Sequence, residues 1–411
     1  MPKPRLPGGA LAILVGAATM LSIAMGLRQS LGLFMLPAVR DLSIAVADFT
    51  LAIAVQNLAW GFLQPPAGAM AAKWGFRPVL VFGVLCFLAG LVVMAVAQGT
   101  LGLILGAGVL IGTSLACCAS AMANAVVSRP VPVALRSTVL GMVSAAGSLG
   151  SLLAAPLGQM LTESFGWRVG VWGFLALGLA MLPAAWIAGR VDKVALPPAT
   201  NAAERANSAG AAAGLALRHP PFVIMSLAYF ICGLQLVFLT THLPSYIALC
   251  GLEPMLGAQA LGVIGGFNIL GSLFFGWAGG RWSKGVLLGG LYITRSMVLA
   301  WYFMTPPTPG STLVFAALMG FLWLGVSPLV SGLVAEMFGL RWQAMIQGIA
   351  FTSHQFGSFL GAYGGGVMFD LMGNYDLAVR FGIGLGFVAG TVQVLSALPR
   401  WPGPRAKEAA G

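Results

Sequence analysis

Charge is what this chain of 411 residues has least of. Asp, Glu, Lys and Arg make up 8% of it, while 59% is hydrophobic; ordinary globular chains are about a quarter charged. That deficit excludes a soluble domain. Acids are scarcest, ten against 21 bases. Asp41, Asp48, Glu163, Asp192, Glu204, Glu253, Glu336, Asp370, Asp376 and Glu408 all fall in loops, tails or helix ends. A buried cation site needs carboxylates or several converging oxygens, so Na⁺ and organic-cation sites are disfavoured. The five cysteines, Cys86, Cys117, Cys118, Cys232 and Cys250, lack metal-ligand spacing and read as packing residues, with no disulfide framework. No Gly-x4-Gly-Lys-Ser/Thr loop occurs, so ATP is not the energy source. Nucleophile constellations, metal clusters and dinucleotide fingerprints are missing too. The chain does not read as an enzyme, and no cofactor is expected.

What is present is apolar sequence in membrane-length pieces. About 20 residues cross a hydrocarbon core of roughly 30 Å, and such runs can be placed twelve times: 9–36, 47–71, 78–97, 101–126, 137–160, 167–189, 221–247, 257–280, 285–304, 312–336, 345–370 and 377–398. The many Gly and Pro residues then serve helix packing and hinges. A net charge of +11 would suggest nucleic acid in a soluble protein. Here its placement reports topology. Lys3, Arg5, Lys73, Arg77, Arg129, Arg136, Arg190, Lys193, Arg205, Arg218, Arg281, Lys284, Arg341, Arg400, Arg405 and Lys407 fall on one side of a twelve-span arrangement; Arg40, Arg168 and Arg380 fall on the other. The positive-inside rule then predicts a multi-pass protein of the cytoplasmic membrane with both termini in the cytoplasm. Its large partner is the lipid bilayer, not nucleic acid. Lys3 and Arg5 before an apolar stretch imitate a signal peptide, but the run continues too far and reads as an uncleaved first helix.

The chain also says the same thing twice, about 207 residues apart. Gly26-Leu27-Arg28 and Pro37 recur as Gly233-Leu234-Gln235 and Pro244. Gly150-Ser151-Leu152-Leu153-x-Ala155-x-x-Gly158 recurs as Gly357-Ser358-Phe359-Leu360-x-Ala362-x-x-Gly365. Gly68, Lys73, Gly75 and Arg77 after the second span answer to Gly276, Arg281 and Lys284 after the eighth. The expectation is an all-α membrane protein of twelve transmembrane helices in two pseudo-symmetric six-helix bundles, residues 1–189 and 220–411. A polar linker, 190–219, with Pro197-Pro198 and Asn, Ala, Ser and Gly, reads as a flexible tether between them. Parallel duplication of this kind places a substrate site between the halves.

Over essentially its full length the chain resembles the major facilitator superfamily. The two repeated loops are similar to its gating signature, Gly-x-x-x-Asp-Arg/Lys-x-Gly-Arg-Arg/Lys, with Ala72 at the aspartate, Phe76 at an arginine and Gly280 at the acid of the second copy. The resemblance implies gating roles for Gly68, Lys73, Gly75, Arg77, Gly276 and Arg281. Within that superfamily, Leu27-Arg28-Gln29-Ser30-Leu31-Gly32-Leu33-Phe34, Thr241-His242-Leu243-Pro244, Gly266-Phe267-Asn268 and Ser353-His354-Gln355-x-Gly357 resemble segments of the monocarboxylate-porter branch and its bacterial relatives. Asn268 and Ser272 stand where animal members carry an Asp/Arg pair, so that pair's proton role is not carried over.

Ionisable side chains inside a span cost a few kcal/mol, so each needs a reason. Arg28 lies near mid-depth, where its guanidinium offers a fork to a carboxylate; the alternative is a structural arginine bonded to backbone carbonyls or a polar neighbour. Arg295, also at mid-depth, either meets substrate or packs against the eighth helix. His354 faces the cavity or bonds a neighbouring helix, and His242 contacts substrate, serves an outer gate or is simply solvated. Asn268 orients substrate or joins two helices. Gln235, the repeat mate of Arg28, is expected to face it across the pseudo-twofold axis. These readings give a carrier of small organic anions, monocarboxylates in particular, with proton coupling, if present, through His354, His242 or the substrate's own carboxyl group. Export of amphipathic or drug-like compounds is the alternative. A ligand sensor would need a larger cytoplasmic domain than 190–219 or the tail supplies.

Overall fold

The structure is a computed structural model describing residues 7–398, apart from the side chains of Pro254, Ala258 and Asp370. Lys3, Arg5, Arg400, Arg405 and Lys407, used above to argue topology, lie outside the described residues, as do Glu408 and the Asp370 side chain of the acid inventory. Twelve long helices run through the described chain: α1 Ala10–Leu42, α2 Val46–Trp74, α3 Phe76–Ala95, α4 Thr100–Ser128, α5 Val133–Phe165, α6 Trp167–Lys193, α7 Pro220–Leu249, α8 Met255–Gly279, α9 Lys284–Met304, α10 Pro309–Phe338, α11 Gln343–Met372 and α12 Asp376–Ala397. All but α11 are long and apolar enough to cross a membrane. At 30 residues, α11 is long enough, roughly 45 Å at 1.5 Å per residue. It is diluted by Gln343, Gln347, Ser353, His354 and Gln355.

The repeated glycine motifs explain how each half is assembled. A methyl group on Gly150 of α5 would overlap Ser22 of α1, and one on Gly357 of α11 would overlap Phe230 of α7. Small residues let the helix backbones meet at equivalent places in both halves, which is how helices associate where lipid removes the hydrophobic drive. One apolar core, from Ile13 to Val191, fills α1–α6. Two further cores fill α7–α12, one toward the face that carries the linker and one toward the far face.

The linker corrects the expectation of a free tether. Its helices Ala202–Arg205 and Ala209–Leu217 are capped by Asn201 and Ser208, and Ala203, Ala212 and Ala216 are buried in the second-half core. Alanine is the best helix former and Asn and Ser are strong N-caps, so this stretch folds locally and then docks. Glu204 fixes it: its carboxylate accepts from Leu340 N at 3.0 Å, and its carbonyl accepts from Arg341 Nη1 at 3.1 Å.

Candidate functional site

Arg28 sits mid-way along α1, one turn before the helix tightens to 3₁₀ geometry at Leu31–Phe34. Its Nη2 donates to Asn57 Oδ1 at 2.6 Å and its Nε to Gln56 Oε1 at 3.2 Å. The guanidinium carbon lies 5.0 Å from the centre of the Trp60 ring. Gln56 is held in turn by the Ala107 carbonyl at 2.7 Å, a backbone group inside the π-helical stretch Ile104–Leu110 of α4. Widened turns free backbone groups, and polar side chains of neighbouring helices satisfy them. Among the described residues, Nη1 has no protein partner and no carboxylate pairs with Arg28. The cation is aimed but not neutralised.

From the other half, α11 brings Gln355 and His354 to the same place. Gln355 Nε2 donates to the Asn57 carbonyl at 2.9 Å and reaches Asn57 Oδ1 at 3.5 Å. Its Oε1 is 3.3 Å from His354 Nδ1, which also lies 3.4 Å from Ser358 Oγ. The imidazole stacks on Phe351 with centroids 5.5 Å apart and leans on Tyr229 at 4.6 Å. Arg28 and His354 thus converge through two amides, Asn57 and Gln355, that a search for ionisable intramembrane residues passes over. The signal was the adjacent amide pair Gln56-Asn57 standing inside a largely apolar second span.

The remaining candidates lie elsewhere. Gln235 does not face Arg28: it is buried, and its Nε2 donates to the Gly382 carbonyl of α12 at 2.9 Å. Arg295 is fully buried: its Nη2 donates to the Leu322 carbonyl at 2.7 Å and lies 3.4 Å from the Trp323 carbonyl, and its Nη1 reaches Cys232 Sγ at 3.1 Å. Those carbonyls end the first segment of α10, Pro309–Trp323, where a cation complements the helix dipole. Asn268 accepts from Leu324 N at 3.2 Å and so mends the same break. His242 is spent on Tyr375 OH at 3.2 Å and the Ala362 carbonyl at 2.9 Å. A carbonyl can only accept, so Nε2 donates to it.

At the linker face the halves are sealed by neutral groups. Asn124 donates to Ser331 Oγ at 2.7 Å, Ser331 Oγ donates to Gln347 Oε1 at 2.7 Å, and Gln343 donates to Ser128 Oγ at 3.2 Å. Two close crossings flank this cluster. A methyl on Gly276 of α8 would meet Gly141 Cα of α5, and one on Gly68 of α2 would collide with Met345 of α11. Lys73, Arg77 and Arg281 do not reach across; they lie over Trp74, Trp186 and Trp277 of their own halves. Gly75, at φ 94°, turns the chain so that Phe76 N and Arg77 N both donate to the Asp192 carboxylate, at 2.7 and 2.9 Å. Nearby in the loop after α4, burial pushes the Arg129 guanidinium below its ordinary value, and Asp192 opposes that shift. No inter-half side-chain hydrogen bond occurs at the far face among the described residues.

Residues 8–362 match the sequence profile of the Major Facilitator Superfamily. The chain belongs to that superfamily. It is a transporter, related to monocarboxylate transporters: it is 26% identical to mouse (Mus musculus) monocarboxylate transporter 11 over 97% of this chain and 90% of that one. With bovine (Bos taurus) monocarboxylate transporter 13 it shares 24% over 92% and 87%. With the uncharacterized transporter YcxA of Bacillus subtilis it shares 23% over 93% of each. Its fold matches that of the E. coli fucose:proton symporter FucP at a TM-score of 0.70 and 15% identity, covering 93% of this chain and 98% of that one. It also matches the human organic anion transporter MFSD10 at 0.68 and 15%, over 94% and 100%. In this chain Ala72 and Gly280 leave the two repeated loops without acids, and neutral side chains join the halves at the linker face.

Proposed function

We propose that this transporter carries small organic anions of the monocarboxylate class by alternating access, with Arg28 as the carboxylate-binding residue. The observation that carries the reading is the Arg28 guanidinium, held in place by Asn57, Gln56 and Trp60 and without a carboxylate partner. A guanidinium binds a carboxylate through two parallel hydrogen bonds, which a point charge cannot do. Asn57, His354 and Gln355 border the same site and orient the anion. His354 is its titratable group, where a co-transported proton would sit. Trp60, Phe351 and Tyr229 supply apolar walls that favour an aliphatic or aromatic tail over a sugar, which needs more polar partners. The halves 1–189 and 220–411, joined by 190–219, rock about this site.

The linker face is cytoplasmic in this reading, in a cytoplasmic membrane, because its basic residues outnumber Arg40, Arg168 and Arg380 at the far face. Relatedness to monocarboxylate transporters supports the substrate class. In proteoliposomes, labelled benzoate or lactate uptake should be inhibited by other carboxylates and not by amines or sugars. Uptake undiminished in Arg28→Gln would contradict the assignment.

A further inference from the structure

We infer that Gln64 is a positioning residue that makes the anion site select apolar tails, by holding the one polar atom of Trp60 away from it. The inference rests on the reading that Arg28 binds a carboxylate. The Trp60 ring lies between the halves, 5.0 Å from the Arg28 guanidinium carbon and 4.7 Å from the Phe351 ring of α11. An indole has a single polar group, its N–H, which can only donate. In Trp60 that group donates to Gln64 Oε1 at 3.0 Å, one turn further along α2 toward the linker face. What the indole then offers a bound anion is carbon.

Gln64 is itself locked. Its Nε2 donates to the Ala116 carbonyl of α4 at 2.9 Å. Just beyond, α4 breaks at Ala119, where the backbone is extended. Leu115 O accepts from Ala119 N, and Ala116 O is one of the carbonyls that such a helix end leaves open. A carbonyl only accepts and an indole N–H only donates, so the Gln64 amide fits in one orientation. Gly348 of α11 closes over it, since a methyl there would meet Gln64 Cγ at 3.0 Å. Gln64 is 1% exposed and meets a substrate only through Trp60. The same device stands two turns earlier, where Gln56 ties the Ala107 carbonyl of α4 to Arg28. One amide aims the cation and the other turns the wall. Without Gln64 the indole N–H is an orphan donor, costly while buried. A polar tail can then satisfy it, and a site that bonds a hydroxyl discriminates against an analogue lacking one.

Two arms test this, with benzoate and lactate as probes. In proteoliposomes, Gln64→Leu should lower the ratio of uptake efficiencies, benzoate over lactate, at least about tenfold. Gln64→Glu keeps an acceptor for the indole and should hold the ratio within about threefold of wild type, because both probes are monoanions and any added charge acts on them alike. In a Trp60→Phe background, which has no N–H to satisfy, Gln64→Leu should change the ratio less than about twofold. The second arm needs no ligand. With ¹⁵N-labelled tryptophan, the indole signal that disappears in Trp60→Phe should be protected from hydrogen exchange in wild type and in Gln64→Glu, and lose that protection in Gln64→Leu. An unchanged ratio in Gln64→Leu overturns the inference, as does an equal fall with and without the indole, which would confine Gln64 to mending α4. An unprotected Trp60 indole in wild type overturns it as well, whether or not Gln64→Leu folds. If wild type takes up neither acid but the protection pattern appears, Gln64 positions Trp60 and the carboxylate reading fails.

Discussion

Asn124 Nδ2 donates to Ser331 Oγ at 2.7 Å, and the two residues are 207 positions apart, the offset of the internal repeat. Repeat mates can touch only where the pseudo-twofold axis passes, so this bond marks the axis at the linker face. Ser331 in turn donates to Gln347, and Asn124 also approaches Ser327 at 3.4 Å. A seal of neutral groups can be broken without moving a charge out of an ion pair.

Removing that bond should therefore loosen the seal without unfolding the protein. Interhelical hydrogen bonds in membrane proteins average about 0.6 kcal/mol and reach about 1.7, so Asn124→Ala should raise the fraction open at the linker face roughly threefold to twentyfold. Maleimide labelling of a cysteine placed at Ser144, which lies 3.4 Å from Ser327 inside the seal, measures it. Equal labelling rates with and without Asn124 would contradict the latch.

The glycine crossings make a sharper demand. Gly276→Val should block closure at the linker face, because the new side chain must displace the Gly141 backbone rather than a flexible tip. The expected outcome is folded protein with lost transport and permanent labelling from the linker face. Gly290→Ala on α9, where a methyl meets nothing within 4 Å, should behave as wild type.

How much of this was legible in the sequence depends on what kind of signal each feature leaves. Span number and pairing of the halves could be read, because apolar length and the repeated glycines are local properties of the chain. The docking of the linker was missed: its alanines look like spacer until their burial against α10 and α11 is seen. Arg28 and His354 stood out as ionisable residues in lipid, whereas Asn57, Gln355 and Asn124 did not, since a neutral amide leaves no mark on a charge count. Arg295 had the same signal as Arg28 but the opposite surroundings. Only the break in α10, with its open carbonyls, explains why one arginine is bound up by backbone and the other is not.

Arg295→Gln should accordingly cost stability and leave specificity alone. It removes donors from the Leu322 and Trp323 carbonyls in a fully buried site, and hydrogen bonds to charged groups contribute about 1.5–3 kcal/mol each. A clear fall in melting temperature with an unchanged order of substrate preference is expected. A changed order with unchanged stability would return Arg295 to the substrate site.

Asp192→Ala should detach the loop between α2 and α3. Its carboxylate satisfies two backbone N–H groups at the start of α3, and losing such a cap costs about 1 kcal/mol. Proteolysis near Gly75 should accelerate, while half-saturation for substrate stays put. An unaltered cleavage rate would deny Asp192 this role.

The most direct test of the central claim is thermal stabilisation of the purified protein by carboxylates, amines, sugars and drug-like compounds, with Arg28→Gln in parallel. A ligand at 100 times its dissociation constant stabilises the folded state by about 2.7 kcal/mol. The account predicts that carboxylates raise the melting temperature of wild type and leave Arg28→Gln unmoved. If hydrophobic compounds alone register, and register equally on both proteins, Arg28 is structural and the amphiphile-export reading of the sequence replaces this one.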